Sequence, residues 1–452
     1  MDSTDNAQRN QIKSLSNIFK NTPIIVPNHF YKNIDISNKI KQAKNKQNNI
    51  IQNTISSFAN FDPSNKRAHF PHNDTSTIPV FSEYFDKLFN NQKDFGKRIF
   101  DNYVQNSSLI HTLAIAPTQS GKTGSMLSII FNAISHPTHA VPIHNIYIFT
   151  PHSSREWLLQ TRERFPPLLH NNIFHRNNIK QLSESIQNKQ NVLLILDEAQ
   201  IAFKLGQTTF KLFNLLGMYN PTHPFINDIK IVSFTATPNQ LPADFELWKQ
   251  SAIIQKMDVP KSYISHSALL EQGRLLQMDD LTCFDNITQT VSPNAYKNIR
   301  RILPFVINMQ SPKFHIIRTP RANLHHITMQ NFKYVFKQDN LQFSVISETT
   351  IKDLDTFIEN PPFQHTFIFI KDKLRCAKTL HKQHLGVLYE RFVHKPITDS
   401  IVQGLAGRLT GYHNNEYSVV FTHLPSIYHY YSLVDNHTIL KQKRKPSAFF
   451  PF

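Results

Sequence analysis

The segment Ala116-Pro117-Thr118-Gln119-Ser120-Gly121-Lys122-Thr123 restricts what this chain can fold into more than any other stretch. An apolar run, Leu113-Ala114-Ile115, leads into it, and a helix-like stretch over 126–130 leads out. A buried strand, a tight loop and a helix in that order turn backbone N–H groups toward one point at a helix N-terminus, which is a cradle for phosphate. In such a loop Thr118, Gln119, Ser120 and Gly121 wrap the phosphates, and Lys122 reaches the β- and γ-phosphates as a point charge. Thr123 supplies a hydroxyl ligand for Mg²⁺. ATP and Mg²⁺ are therefore the expected cofactors.

The rest of the chain repeats the strand-and-helix alternation. Ile146-Tyr147-Ile148-Phe149 reads as a strand ending at Thr150-Pro151, and Ser153 or Ser154 can cap the helix that carries 157–165. Val192 to Leu196 and Lys230 to Phe234 are further apolar strands. A second set runs through 314–317, 343–346, 365–370 and 418–422. Buried strands alternating with helices predict an α/β fold of mostly parallel sheets flanked by helices. Upstream, Phe85, Leu88, Phe89, Phe95, Ile99 and Phe100 recur at helical spacing. The expected organisation is a basic, Asn/Lys-rich N-terminal extension over 1–78, with a helix across 36–51, and a first domain over 79–245. A linker or small insertion over 246–300, a second domain over 301–440 and a basic, solvated tail over 441–452 complete it.

Composition narrows the setting. The formal net charge of +17 and a pI near 9.6 point to a polyanionic partner, nucleic acid above all. With only Cys283 and Cys376 there is no disulfide framework and no four-cysteine zinc site. The first residues lack the apolar core of a signal peptide, and no run approaches membrane-spanning length, so an intracellular, cytoplasmic protein with no membrane contact is expected. Of only ten glycines, Gly121 and Gly124 sit at the phosphate loop, while Gly404, Gly407 and Gly411 crowd one short segment. Glycine kept at two places marks backbone that approaches something closely or takes positive φ.

Leu193-Leu194-Ile195-Leu196-Asp197-Glu198-Ala199-Gln200 is an apolar strand ending in two carboxylates. A carboxylate at the C-terminal end of a parallel strand lies at the edge where the phosphate loop emerges. There Asp197 can hold Mg²⁺, and Glu198 can orient and deprotonate an attacking water.

With these two motifs in place, the chain resembles superfamily 2 helicases and translocases, the group that includes DEAD-box and DEAH-box proteins. Ala116–Thr123 matches motif I and Asp197–Gln200 motif II; Thr235-Ala236-Thr237-Pro238 matches motif III. Thr150-Pro151 with Arg155-Glu156 and Gln160 matches motif Ia, and Gln403-Gly404-Leu405-Ala406-Gly407-Arg408 matches motif VI. The resemblance implies two tandem RecA-like domains that clamp ATP between them. It further implies that Arg408 is an arginine finger, that Gln403 couples nucleotide contact to closure, and that Gln92 lies near the adenine. Thr150, Arg155, Arg318, Arg321 and, in the motif V segment, Arg375 are the implied nucleic-acid contacts.

The chain departs from the family pattern at four places. Gln119 stands where glycine is usual, and motif II ends in Gln200 instead of Asp or His. Gln403 and Gly407 are one residue further apart than usual, and Gly411-Tyr412 replaces the second motif VI arginine. The low glycine content and Asn/Lys/Ile/Phe enrichment suggest an AT-rich genome, and the Gly-Arg-Leu-Thr-Gly-Tyr ending resembles phage, large-virus or plasmid helicases, with other replication or transcription proteins as further partners. The leading expectation is an ATP-dependent helicase or translocase, with DNA favoured over RNA. The alternative is a nucleotide-switched clamp or remodelling subunit without unwinding activity. The motor of a restriction or defence complex ranks lower, because no nuclease signature accompanies the motifs.

Overall fold

Apolar runs with no polar interruption, such as those of Val192–Leu196 and residues 367–370, cannot leave either face in water, so they form the centres of sheets covered on both sides. The computed structural model describes residues 77–151, 153, 155–187, 189–199, 207–218, 228–237, 251–285, 290–351, 353–371, 380–412 and 415–435. The expected extension up to residue 76, its helix over 36–51, and the basic tail lie outside the described residues. All described residues belong to one compact unit, His69–Phe452.

The first sheet contains β1 (His111–Ile115), β2 (Ile146–Thr150), β3 (Ile173–His175), β4 (Val192–Leu196), β5 (Ile229–Thr235) and β6 (Ala252–Lys256), in the order β3-β2-β4-β5-β1-β6. Every pairing in it is parallel, for example Ala114 with Phe234 and Ile195 with Val232. Helix Asn90–Gln105 packs on helix Lys122–Ser135 over one face, burying Phe95, Ile99, Met126 and Ile130. Helices Ile179–Ile186 and Thr208–Leu215 cover the other with Leu182, Leu212 and Phe213. Phe89 departs from the expected apolar stripe: it precedes the helix as its cap residue and is 55% exposed.

The chain then supplies β7 (Leu275–Gln277), the antiparallel hairpin β8 (Phe284–Asp285) and β9 (Thr290–Val291), then β10 (Phe314–Arg318), β11 (Ser344–Ser347), β12 (Thr366–Ile370), β13 (Leu385–Tyr389) and β14 (Val419–Thr422). The second sheet runs β11-β12-β10-β13-β14-β7, again all parallel. The stretch 246–300, read from sequence as a linker or insertion, thus lends an edge strand to each sheet, β6 to the first and β7 to the second. β13, central in the second sheet, carries Gly386, which masks it as a strand; a Cβ there would lie 2.6 Å from the buried His315 ring. The architecture is two tandem RecA-like α/β domains.

Candidate active site

The phosphate loop leaves β1 beside β5, where the Ala116 N–H donates to the Thr235 carbonyl at 2.9 Å. Gly121 takes φ +98° at the N-cap of helix Lys122–Ser135, and a Cβ there would lie 1.8 Å from Gln92 Nε2. Only glycine meets both demands. Gln119 takes φ +59°, so the usual glycine's left-handed conformation is kept without the glycine.

Directly after β4 comes Asp197, whose N–H donates to the Phe149 carbonyl, and the Ala199 N–H donates to the Phe234 carbonyl, both at 2.9 Å. Between these anchors Glu198 is held at φ +54°. A left-handed glutamate costs about 1–2 kcal/mol, a local strain of the kind concentrated at functional sites. Its carboxylate is buried; Lys122 Nζ lies 2.8 Å from Oε1, and Gln403 Nε2 donates to Oε2 at 2.9 Å and to Thr237 Oγ1 at 3.3 Å. One carboxylate therefore meets motif I from its own domain and motif VI from the other.

The opposite wall is built on Glu390, at the end of β13. Its carboxylate accepts two bonds from Arg318 Nη1, at 2.6 and 2.7 Å, and one from the Leu405 N–H at 3.1 Å. That pins the start of the short helix Leu405–Leu409. Gly407 then lies against the phosphate loop, where a Cβ would come within 2.8 Å of Thr118 Cγ2. Three hydroxyls clasp the loop's carbonyls: Tyr263 and Thr410 donate to that of Thr118 at 2.7 and 2.9 Å, and Tyr412 to that of Ser120 at 3.1 Å. Gln119 Nε2 donates to the Arg408 carbonyl at 3.3 Å.

A cavity of about 360 Å³ remains between the walls, lined by Lys122, Thr123, Asp197, Glu198, Gln403 and Arg408 among others. Among the described residues, four cations, Lys122, Arg164, Lys382 and Arg408, face it against two carboxylates, Asp197 and Glu198. That excess suits an anionic ligand. Burial, and then the neighbouring Glu198 charge, push the Asp197 carboxyl up to about 6, while Lys122 and Arg164 pull it down. Burial, then Arg274 and Arg408, lower Lys382 to about 8. Asp197 Oδ1, Thr118 Oγ1 and Ser120 Oγ are buried without a hydrogen-bond partner among the described residues. An oxygen-ligated cation and phosphate oxygens are the groups such atoms satisfy, so the residues present fit a nucleotide with Mg²⁺.

Sequence reasoning brought Thr118 to Thr123, Asp197, Glu198, Gln403 and Arg408 to one place, and the structure places them together. Other assignments change. Gln92 is buried behind the loop, its amide against Gly121 and Gly124 and its Oε1 accepting from the Phe89 N–H, and it does not line the cavity. Thr150 is buried, its hydroxyl donating to the Asp197 carbonyl at 3.4 Å, so it braces motif II and is not open to a nucleic acid. Arg318, 5% exposed and bound to Glu390, is likewise no backbone contact; the strand end that carries it faces the interior. Arg321 is exposed, as a phosphate contact requires. Arg155 opens helix Arg155–Arg164; Arg375, Gln200 and Pro238 lie outside the described residues. Tyr263 and Lys382 were missed. Tyr263 falls in the stretch read as a linker, and a lone lysine beside histidines gives no motif.

No family model matches the chain. It is 24% identical over 377 residues to the uncharacterized protein L594 of Acanthamoeba polyphaga mimivirus, spanning 76% of this chain and 87% of that one. Among solved structures, Mss116p bound to single-stranded RNA and AMP-PNP aligns over 82% of this chain and 80% of its own, at 13% identity and TM-score 0.45. The Escherichia coli DEAH/RHA helicase HrpB aligns over 74% of this chain at 12% identity and TM-score 0.45, and the match spans 43% of that longer protein. The chain is thus two parallel sheets in tandem, with a phosphate loop, an Asp-Glu strand end and a glycine-arginine segment meeting where they face each other.

Proposed function

We propose that the chain is an ATP-dependent nucleic-acid helicase or translocase that hydrolyses ATP between its two RecA-like domains while tracking a DNA or RNA backbone, DNA by preference. The observation that carries this reading is Glu198, a strained and buried carboxylate gripped at once by Lys122 and by Gln403 of the other domain. Lys122 would hold the β- and γ-phosphates, and Thr123 and Asp197 the Mg²⁺, which supplies charge neutralisation on the phosphates when bound. As Lys122 turns to phosphate it leaves Glu198, whose carboxylate then serves as the acceptor for the proton of an attacking water. Gln403 keeps that carboxylate oriented, and Arg408 adds a planar cation from the second domain, a contact made only while the domains are closed.

The net charge of +17 and the exposed Arg321 support a nucleic-acid backbone as the tracked partner. The mimivirus relative agrees with a viral setting, and replication or transcription proteins of a host cell are the further partners of this reading. One observation favours a second reading, a nucleotide-switched clamp without unwinding. The Tyr263, Thr410 and Tyr412 bonds to loop carbonyls join the domains through atoms that phosphate does not use. The test is an ATPase assay on the full chain with single- and double-stranded DNA and RNA across salt. Hydrolysis stimulated by nucleic acid, with stimulation falling steeply between roughly 50 and 200 mM salt, is expected. Stimulation that is absent, or flat with salt, would overturn the tracking role. A strand-displacement assay separates helicase from clamp.

A further inference from the structure

Gly411-Tyr412 stands where the resemblance would place a second arginine in the glycine-rich segment, and a cation from elsewhere in the chain lies beside it. Lys382 belongs to the loop that leads into β13, far in sequence from Gly411-Tyr412. Its backbone carbonyl accepts from the Asn415 side chain, and its Nζ donates to the carbonyl of Thr410, the residue directly before the replaced position. A Cβ on Gly411 would lie 3.3 Å from Lys382 Nζ and 3.2 Å from Gln119 Cβ, so the ammonium stands at the tip of the phosphate loop. It lines the same cavity as Lys122, Glu198 and Arg408. Resting on the nucleotide-hydrolysis reading above, we infer that Lys382 is a second phosphate-contacting cation of the second domain, working beside Arg408 in place of the absent arginine.

The surroundings of Lys382 explain what it needs. It is 8% exposed, and the charged groups acting on it are Arg274 and Arg408, both cations. On its own loop, His381 lies 3.7 Å from Asp355, and burial holds His384 below the usual histidine range. Across the cavity stand Lys122 with Glu198, and Asp197 with Arg164. Tyr263 and Tyr412 beside it are pushed upward by burial, out of the neutral range. A buried ammonium between two guanidinium groups gives up its proton readily, down to about 8. An anion arriving in the cavity between Lys382 and Arg408 favours the protonated form and so draws a proton in. Glycine at 411 leaves the ammonium its room; a side chain there would crowd it.

The experiment is ATP–Mg²⁺ hydrolysis by the full chain from pH 6.5 to 9.5, for wild type, Lys382→Met and Lys382→Arg, with melting temperature recorded beside KM and kcat. The protonated lysine binds phosphate, so wild-type affinity is full below about pH 8 and declines above it. Lys382→Met should raise KM roughly 10- to 100-fold below that break, the worth of a charge-assisted hydrogen bond, and should lose the break. Lys382→Arg should restore affinity and hold it to higher pH, because a guanidinium does not titrate there. A Lys382→Met protein with wild-type KM and the same pH profile overturns the assignment, as does one whose melting temperature alone has fallen. Absence of hydrolysis in the wild type at every pH would instead remove the underlying reading, and this inference with it.

Discussion

Gln403 is the test of whether the two domains are coupled through the catalytic carboxylate. Its Nε2 serves Glu198 and Thr237 together, and both bonds are buried. A hydrogen bond to a charged group contributes roughly 1.5–3 kcal/mol. Gln403→Ala should therefore lower the closed-to-open ratio of the domains by about 10- to 150-fold, at about 1.4 kcal/mol per tenfold. Because the bond joins the domains and is not internal to either, each domain's own unfolding should be little changed. Small-angle scattering of the full chain with AMP-PNP should show a more extended particle for the variant, and ATP turnover should fall in parallel. Gln403→Glu sharpens the test: it sets a second carboxylate at the 2.9 Å spacing from Glu198, where both cannot ionise. Closure in that variant should weaken as pH rises. If Gln403→Ala closes and turns over ATP as the wild type does, the glutamine only fills space and the coupling is wrong.

Arg408→Ala should leave ATP affinity nearly intact while nucleic-acid-stimulated turnover falls by about 10³, with poor rescue by lysine; a lower melting temperature with an unchanged stimulation ratio would make it a structural arginine. Arg318→Ala leaves Glu390 buried without its guanidinium, which should cost about 3–5 kcal/mol in the second domain; a calorimetric scan checks it, and weakened nucleic-acid binding without loss of stability would contradict it. Asp197 sets a pH window. Its folded carboxyl is raised from 3.8 to about 6, so its contribution to stability is present below the unfolded value and is lost as pH rises through about 6. Mg²⁺ needs the ionised form, so the melting-temperature gain from ATP–Mg²⁺ should grow as pH climbs through that range. An equal gain at pH 5 and pH 8 would remove Asp197 as a ligand.

The wholly buried strands and the chemistry at their ends were legible because each leaves a local mark. Val192 to Leu196 followed by two carboxylates, and Leu113 to Ile115 followed by the loop, are patterns set by burial on two faces. β6 and β7 left little trace: edge strands are partly exposed, and half-buried Ala252 to Ile254 carry no alternation. Roles fixed by the second domain's fold were the least legible. Whether Arg318 meets a phosphate or Glu390 depends on what stands 72 residues later, and Lys382 reaches the cavity only because β13 and the glycine-rich segment fold side by side. Gln92 shows the same limit: the family resemblance implied a place near the adenine, and only the fold shows its amide against the loop's glycines.

The most direct measurement is single-turnover phosphate release from ATP–Mg²⁺ by the full chain, wild type against Glu198→Gln, with nucleotide binding followed in the same samples. The account predicts that the variant still binds nucleotide, because Lys122 is released from its ion pair with Glu198, and that phosphate release slows by about 10²–10⁴. Release at the wild-type rate by Glu198→Gln, or none by the wild type itself, would contradict it.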